Sequence, residues 1–240
     1  MPPDAARPLL DVAGLAAGYR RLQVLWGVDL AIHEHESVVL LGANGAGKTT
    51  LLKTIMNLVQ AWTGRVAFAG DDITQLRTNQ RVRRGIVFMS EASGFPGLTV
   101  EENVLIGAQF MSRNAARTRM AELYGVFPAL AERRHALAGS LSGGQRKMLG
   151  IAKALVANPR LLIMDEPSAG LSPLFVSEVI GVLARCRSQN LALLIAEQNV
   201  NFLKLADRVY TLDNGRIGFA GTVAAMREND ALRRAYFGLK

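Results

Sequence analysis

Cysteine is almost missing from this chain: Cys186 is the single one in 240 residues. No disulfide can form within the chain, and a reducing compartment fits best. Long apolar runs are missing as well. No stretch free of Asp, Glu, Lys and Arg exceeds eleven residues, whereas a membrane-crossing helix takes about 20. Residues Met1 to Leu10 carry Asp4 and Arg7 and hold no apolar signal core, so the expectation is a cytosolic protein. Aromatic residues make up 6%. None interleaves with the basic run Arg77, Arg81, Arg83 and Arg84, which therefore reads as a solvated face and not as a base-stacking surface. His33, His35 and His135 have no partners at metal-ligand spacing and are assigned to the surface. Internal repeats and Ser/Gly linkers are absent, which argues for one multi-lobed domain.

Half of the residues are hydrophobic and 20% are charged, enough to bury a sizeable core. Lys and Arg number 28 against 20 Asp and Glu, a formal charge of +8. Such an excess implies an anionic partner: nucleic acid, an anionic membrane face or nucleotide phosphates. Composition does not choose among them.

Apolar runs alternate with helix-period segments. Ser37 to Leu41, Leu161 to Met164 and Leu191 to Ile195 read as buried strands. Thr50 to Val59, Gln145 to Ala157 and Leu174 to Arg187 read as helices. This alternation predicts a mostly parallel sheet covered by helices. Two regions break the rhythm. Residues 9–35 and Gly64 to Ile73 look antiparallel, with Ala69-Gly-Asp-Asp72 as a hairpin signal. Residues 99–138 are rich in Ala, Glu and Arg, with Pro128 as punctuation, and read as a helical insertion.

Three motifs carry chemistry. Gly42-Ala43-Asn44-Gly45-Ala46-Gly47-Lys48-Thr49 fits G-x-x-x-x-G-K-[ST] between a predicted strand and a predicted helix, the setting of a phosphate-binding loop. Lys48 would reach the β- and γ-phosphates of a nucleotide, and the Thr49 hydroxyl would ligate Mg²⁺. Leu161-Leu-Ile-Met-Asp165-Glu166 is an apolar strand ending in two carboxylates. Asp165 would hold Mg²⁺, directly or through water, and Glu166 would act as general base on the attacking water. Ser142-Gly143-Gly144-Gln145 opens a helical run. Taken alone it is as much a capped helix start as an anion site.

Order and spacing of these motifs resemble the ATP-binding cassette (ABC) ATPases, over nearly the whole chain. The resemblance implies an α/β P-loop NTPase fold, with a mostly parallel core sheet flanked by helices, an antiparallel β subdomain and a helical subdomain. It implies a cassette over residues 9–240, with the helical subdomain at about 99–158 and a C-terminal helical tail at about 222–240. Gly42 to Thr50 would bind ATP with Mg²⁺ at Thr49 and Asp165. Tyr19 stands where the family stacks an aromatic on adenine, although an ordinary strand aromatic would read the same. A head-to-tail dimer would place Ser142, Gly143, Gly144 and Gln145 on the partner's ATP, with Ser168 to Ser172 along the seam.

Two positions depart from the usual pattern. Where most members have glutamine, counting forward from Gly85 gives Glu91 and counting back from Thr99-Val100 gives Ser90. Where most have a histidine that senses the γ-phosphate, this chain has Gln198. Both departures, together with Leu212-Asp-Asn-Gly-Arg216 and the tail Leu232-Arg-Arg-Ala-Tyr-Phe-Gly238, resemble one ATPase subunit of branched-chain amino acid importers, whose relatives serve urea and short-chain amides. The implied protein is an ATPase peripheral to the cytoplasmic face of the membrane. It would pair with transmembrane permease subunits and a second ATPase subunit, paralogue or self, and indirectly with a solute-binding protein. The competing reading is an ABC ATPase acting on nucleic acid or ribosomes. It fits less well, because those relatives carry long coiled-coil insertions or two cassettes. Cys186, between Arg185 and Arg187 on a helical pattern, reads as inert.

Overall fold

The computed structural model describes residues 7–90, 94–187 and 191–238. The chain opens with two long antiparallel strands, β1 (Leu10–Tyr19) and β2 (Leu22–Ile32), and then enters the core through β3 (Ser37–Leu41). After helix α1 (Lys48–Ile55) it returns to the first sheet with β4 (Ala61–Phe68) and β5 (Asp71–Asp72). Ala69 and Gly70 join them with φ of +53° and +87°, the left-handed pair that a tight hairpin needs. Helix α2 (Thr78–Arg83) leads to β6 (Ile86–Met89). Four helices follow: α3 (Val100–Gly107), α4 (Arg113–Val126), α5 (Pro128–Glu132) and α6 (Gly143–Leu155). Pro128 starts α5 at its first position, where a missing N–H costs nothing. Next come β7 (Leu161–Asp165), α7 (Pro173–Arg187), β8 (Ala192–Glu197), β9 (Arg208–Asp213), β10 (Arg216–Gly221), α8 (Val223–Glu228) and α9 (Asp230–Phe237).

Two sheets result. The smaller is antiparallel, in the order β2-β1-β4-β5; the larger runs β10-β9-β3-β8-β7-β6. Pairs β9–β3, β3–β8, β8–β7 and β7–β6 are parallel, and β10 closes one edge antiparallel. Every residue of β3, β7 and β8 is buried. Their side chains alternate between two cores. Val39, Leu41, Leu162 and Met164 join the helical side with Leu149, Ile151 and Val179. Val38, Leu40, Ile163 and Leu194 meet α1 and the antiparallel sheet. A strand apolar on both faces is what a helix-covered parallel sheet requires.

Two expectations need correction. The helix placed at Thr50 to Val59 begins at Lys48 and ends at Ile55. Asn57 turns left-handed at φ +54°, and the last carbonyls of α1 are taken by another side chain. That side chain is Arg81, and it corrects the second expectation. Arg77, Arg83 and Arg84 are exposed, but Arg81 is 1% exposed. Its guanidinium donates to the carbonyls of Leu76 (3.0 Å), Ile73 (2.7 Å), Thr74 (2.7 Å), Thr54 (3.4 Å) and Ile55. A planar five-donor group can satisfy several diverging carbonyls, and a cation suits a helix C-terminus. Burial pushes its pKa down to about 10, against the pull of Asp72.

Arg81→Ala would leave several buried carbonyls unpaired and should lower stability by about 3 kcal/mol in urea unfolding. Arg81→Lys should recover little, because one ammonium cannot span the same acceptors. The exposed control Arg84→Ala should stay within about 0.5 kcal/mol of the parent.

Candidate active site

The parallel register sets the site. Leu41 stands opposite Glu197, and Asp165 stands opposite Ala196. Strands β3, β8 and β7 therefore end side by side, and the loops leaving them share one end of the sheet, where ligands of such sheets bind.

The loop after β3 folds tightly. Gly47 sits at φ +106°, strained for any residue with a Cβ. A Cβ on Gly42 would lie 2.6 Å from the Leu212 carbonyl oxygen. Ala43, Asn44 and Gly45 form an exposed rim, while Ala46, Gly47, Lys48 and Thr50 are buried. No side chain caps α1 at Gly47, so its first-turn N–H groups and positive dipole end are left to the loop. Lys48 is 3% exposed. Its Nζ donates to Gly42 O at 2.9 Å and Ala43 O at 3.1 Å and pairs with Glu166 Oε1 at 3.2 Å. The Thr50 hydroxyl donates to Tyr19 Oη at 3.5 Å, which sets the half-exposed ring of Tyr19 beside the first turn of α1.

Thr49 Oγ1 donates to Asp165 Oδ1 at 3.1 Å. Burial pushes the Asp165 carboxyl above its ordinary value; the Thr49 hydrogen bond opposes this, the charge of Glu166 adds to it, and Lys48 and Lys53 oppose it. A hydroxyl and a carboxylate this close are hard oxygen donors of the kind Mg²⁺ takes, with phosphate oxygens supplying the rest. Glu166, the next residue, is left-handed at φ +46°, a conformation that costs a non-glycine residue about 1 kcal/mol or more. Its N–H donates to Ala196 O at 2.9 Å, and its carbonyl accepts from Lys147 Nζ at 3.3 Å. The kink turns the carboxylate into a cavity of about 290 Å³ lined also by Asn44, Ser168, Glu197, Gln198 and Asn199.

The structure thus gathers Lys48, Thr49, Asp165, Glu166 and Gln198, with Tyr19 at the margin. Ser142, Gly143, Gly144 and Gln145 stand elsewhere. Ser142 Oγ accepts from Gln145 N at 3.3 Å and Gln145 Oε1 from Ser142 N at 3.0 Å, a reciprocal cap on α6. None of the four lines the cavities that Asn44 or Gln198 lines; Gly143 faces Ala169, Gly170 and Leu171 instead. Glu91 lies outside the described residues, and Ser90 follows β6. Two neighbours of the site were not anticipated as part of it. Lys147 reaches the Glu166 backbone, and Glu197 is buried among backbone N–H groups. A glutamate closing a six-residue apolar strand is a visible signal for the second; nothing local signals the first.

Residues 25–169 match the family described as ABC transporter. The chain belongs to that family. The high-affinity branched-chain amino acid transport ATP-binding protein BraG of Pseudomonas aeruginosa is 39% identical, covering 96% of this chain and 100% of that protein. The probable branched-chain amino acid transport ATP-binding protein LivF of Archaeoglobus fulgidus is 36% identical, covering 96% and 99%. The lipopolysaccharide export system ATP-binding protein LptB of Haemophilus influenzae is 34% identical, covering 96% and 97%. An ABC-transporter cassette solved in its ADP conformation superposes with a TM-score of 0.85 at 25% identity, covering 98% of this chain and all of that one. The cassette is an ABC-type ATPase that binds ATP and ADP. Among its described residues no helix is long and apolar enough to cross a membrane.

Because the folded cassette holds the Asp165 proton more tightly than the unfolded chain does, the buried carboxylate costs stability above its raised pKa. That cost disappears as pH falls below the ordinary carboxylate range. Asp165→Asn should therefore raise the Tm of the nucleotide-free cassette by about 2 °C at about pH 7. The difference should shrink at about pH 4. Melting curves at the two pH values check it.

Proposed function

We propose that the cassette is the ATP-hydrolysing subunit of an importer for branched-chain or other apolar amino acids, driving separate membrane subunits. What carries this reading is end-to-end similarity to BraG and LivF together with the intact set Lys48, Thr49, Asp165 and Glu166 at one sheet end. Residues 9–240 form the cassette in this reading, with a helical subdomain at about 99–158 and a C-terminal tail at about 222–240.

Each site residue then has a role. The loop Gly42 to Thr50 wraps the phosphates with backbone N–H groups, and Tyr19 stacks on adenine. Lys48 moves its ammonium from Glu166 and the loop carbonyls onto the β- and γ-phosphates. Thr49 and Asp165 would hold Mg²⁺, which would supply positive charge to offset that of the phosphates. Glu166, released from Lys48, takes a proton from the attacking water. Gln198 donates a neutral hydrogen bond to the γ-phosphate, weaker than a charge-assisted one. Ser142, Gly143, Gly144 and Gln145 act on the ATP of a second ATPase subunit, a paralogue or a second copy, in a head-to-tail dimer. Their cap leaves the N-terminal end of α6 facing outward with its positive dipole.

The permease subunits dock on the cytoplasmic side in a groove of about 250 Å³ lined by Met56, Val82, Met89, Ser90, Ile106 and Ala154. A solute-binding protein supplies the solute, and no nucleic acid is involved. LptB relatives at 34% identity support a second reading, an export ATPase of the same design.

The deciding experiment rebuilds the cassette with its permease and solute-binding partners in liposomes. ATP-driven uptake of leucine, with urea and acetamide as competitors, is the expected result. Lipid-linked substrate leaving the membrane without leucine uptake would replace the import reading. Lys48→Ala should abolish tight ATP binding. Glu166→Gln should keep binding, lower turnover by about 100-fold or more and trap an ATP-bound dimer visible by light scattering. Gln198→His should raise turnover by restoring a donor that can carry charge; turnover at or below the parent would refute a limiting role for this position.

A further inference from the structure

The buried glutamate at the end of β8 has no place in the scheme above. Glu197 is 2% exposed. One carboxylate oxygen, Oε1, accepts from Ser168 N at 2.7 Å. The other, Oε2, accepts from Gln198 N and Asn199 N, both at 3.1 Å. One side chain thereby joins two loops: the one that follows Glu166 and the one that begins with Gln198.

The join falls where the backbone alone cannot make it. Glu166 N bonds Ala196 O at 2.9 Å, which continues the β8 side of the ladder by one residue. Pro167 then has no N–H to give. Ser168 N is the next donor, and it finds the Glu197 carboxylate in place of a strand carbonyl. Residues 166 to 168 are thus fixed to β8 on both sides of the proline, with Glu166 between them in its left-handed conformation. Both carboxylate oxygens of Glu197 already accept backbone N–H groups, whereas Glu166, which lines the same cavity, pairs through Oε1 with Lys48. The two acids therefore divide the work: Glu166 is held by one ammonium that a nucleotide would draw away, and Glu197 is committed to the backbone.

We propose that Glu197 is a positioning residue for hydrolysis, which sets the placement of the Glu166 carboxylate relative to Gln198. This rests on the reading of Glu166 as the base and Gln198 as the γ-phosphate donor. The acceptor pattern explains why the residue must be an acid: three N–H donors converge on it, and an amide presents one oxygen and one donor group. Glu197→Gln keeps the shape and sets an NH₂ against either the Ser168 N–H or the paired N–H groups of Gln198 and Asn199.

The test uses the assembled complex. Glu197→Gln should lower kcat by about tenfold while KM and the equilibrium Kd for ATP stay within about twofold. Gln198→Ala should cost less in the Glu197→Gln background than in the parent, because the placement it depends on is already lost. An unchanged kcat in Glu197→Gln would overturn the proposal. So would a loss shared equally by kcat, ATP affinity and Tm, which marks a general structural role, and so would additive losses in the double variant. Glu166→Gln, measured beside it, separates the two claims. Near-parent turnover there removes the base assignment itself, whereas an inactive Glu166→Gln with a parent-like Glu197→Gln removes the positioning role alone.

Discussion

Everything at the site depends on three parallel strands that end level with one another. Because β3, β8 and β7 are buried on both faces, their register cannot slip without driving a full set of apolar side chains out of both cores. That fixed register carries Gly42, Asp165 and Glu197 to one rim. Glu197 ties two of the rim's loops together, but Asp165 by its burial and Glu166 by its backbone conformation weigh against the fold. The apolar sheet carries that burden, as expected when a rigid scaffold bears a reactive edge.

Much of this was readable in the sequence because its signals are local. The strand-glycine-helix passage at 42–49, the apolar strand ending in Asp165-Glu166 and the Ala69-Gly70 hairpin each depend on neighbouring residues, so spacing alone reveals them. Ser142 likewise shows its capping role through Gln145 three positions on. Arg81 could not be read this way. Its five acceptors come from α1, from the turn after β5 and from the residue before Arg77, and a run of four arginines looks the same whether or not one of them folds inward. For Glu197 the strand-end position was visible but its partner was not: Ser168 is 29 residues away in the chain. Helix ends suffer equally, since α1 stops at Ile55 because of Asn57 and Arg81 and not because its apolar spacing fails.

The placement of Ser142 to Gln145 away from Lys48 also follows from the fold. The reciprocal cap satisfies the helix locally and leaves no side chain of that turn directed at the phosphate loop of its own chain. A ring carbon of Phe175 would stand 2.4 Å from a Cβ on Gly144, so α6 and the start of α7 are packed as closely as a glycine allows. The turn at 142–145 and the loop at 169–171 consequently form one surface.

Helix α1 is held at both ends by unlike means. Its first residue, Lys48, is in the phosphate loop. Its last carbonyls, at Thr54 and Ile55, are gripped by Arg81. Thr78 Oγ1 donates to Met56 O at 2.9 Å, and Asn57 Nδ2 donates to Leu76 O at 3.0 Å, so the far end is stitched to the approach to α2. Eight helical residues make a rod about 12 Å long, with little give along its axis. Met56, Thr78 and Val82, at the stitched end, are also walls of the groove beside β6. The phosphate loop and the groove therefore stand at opposite ends of one short rod, and the groove's wall shares its anchorage with the helix that begins at Lys48.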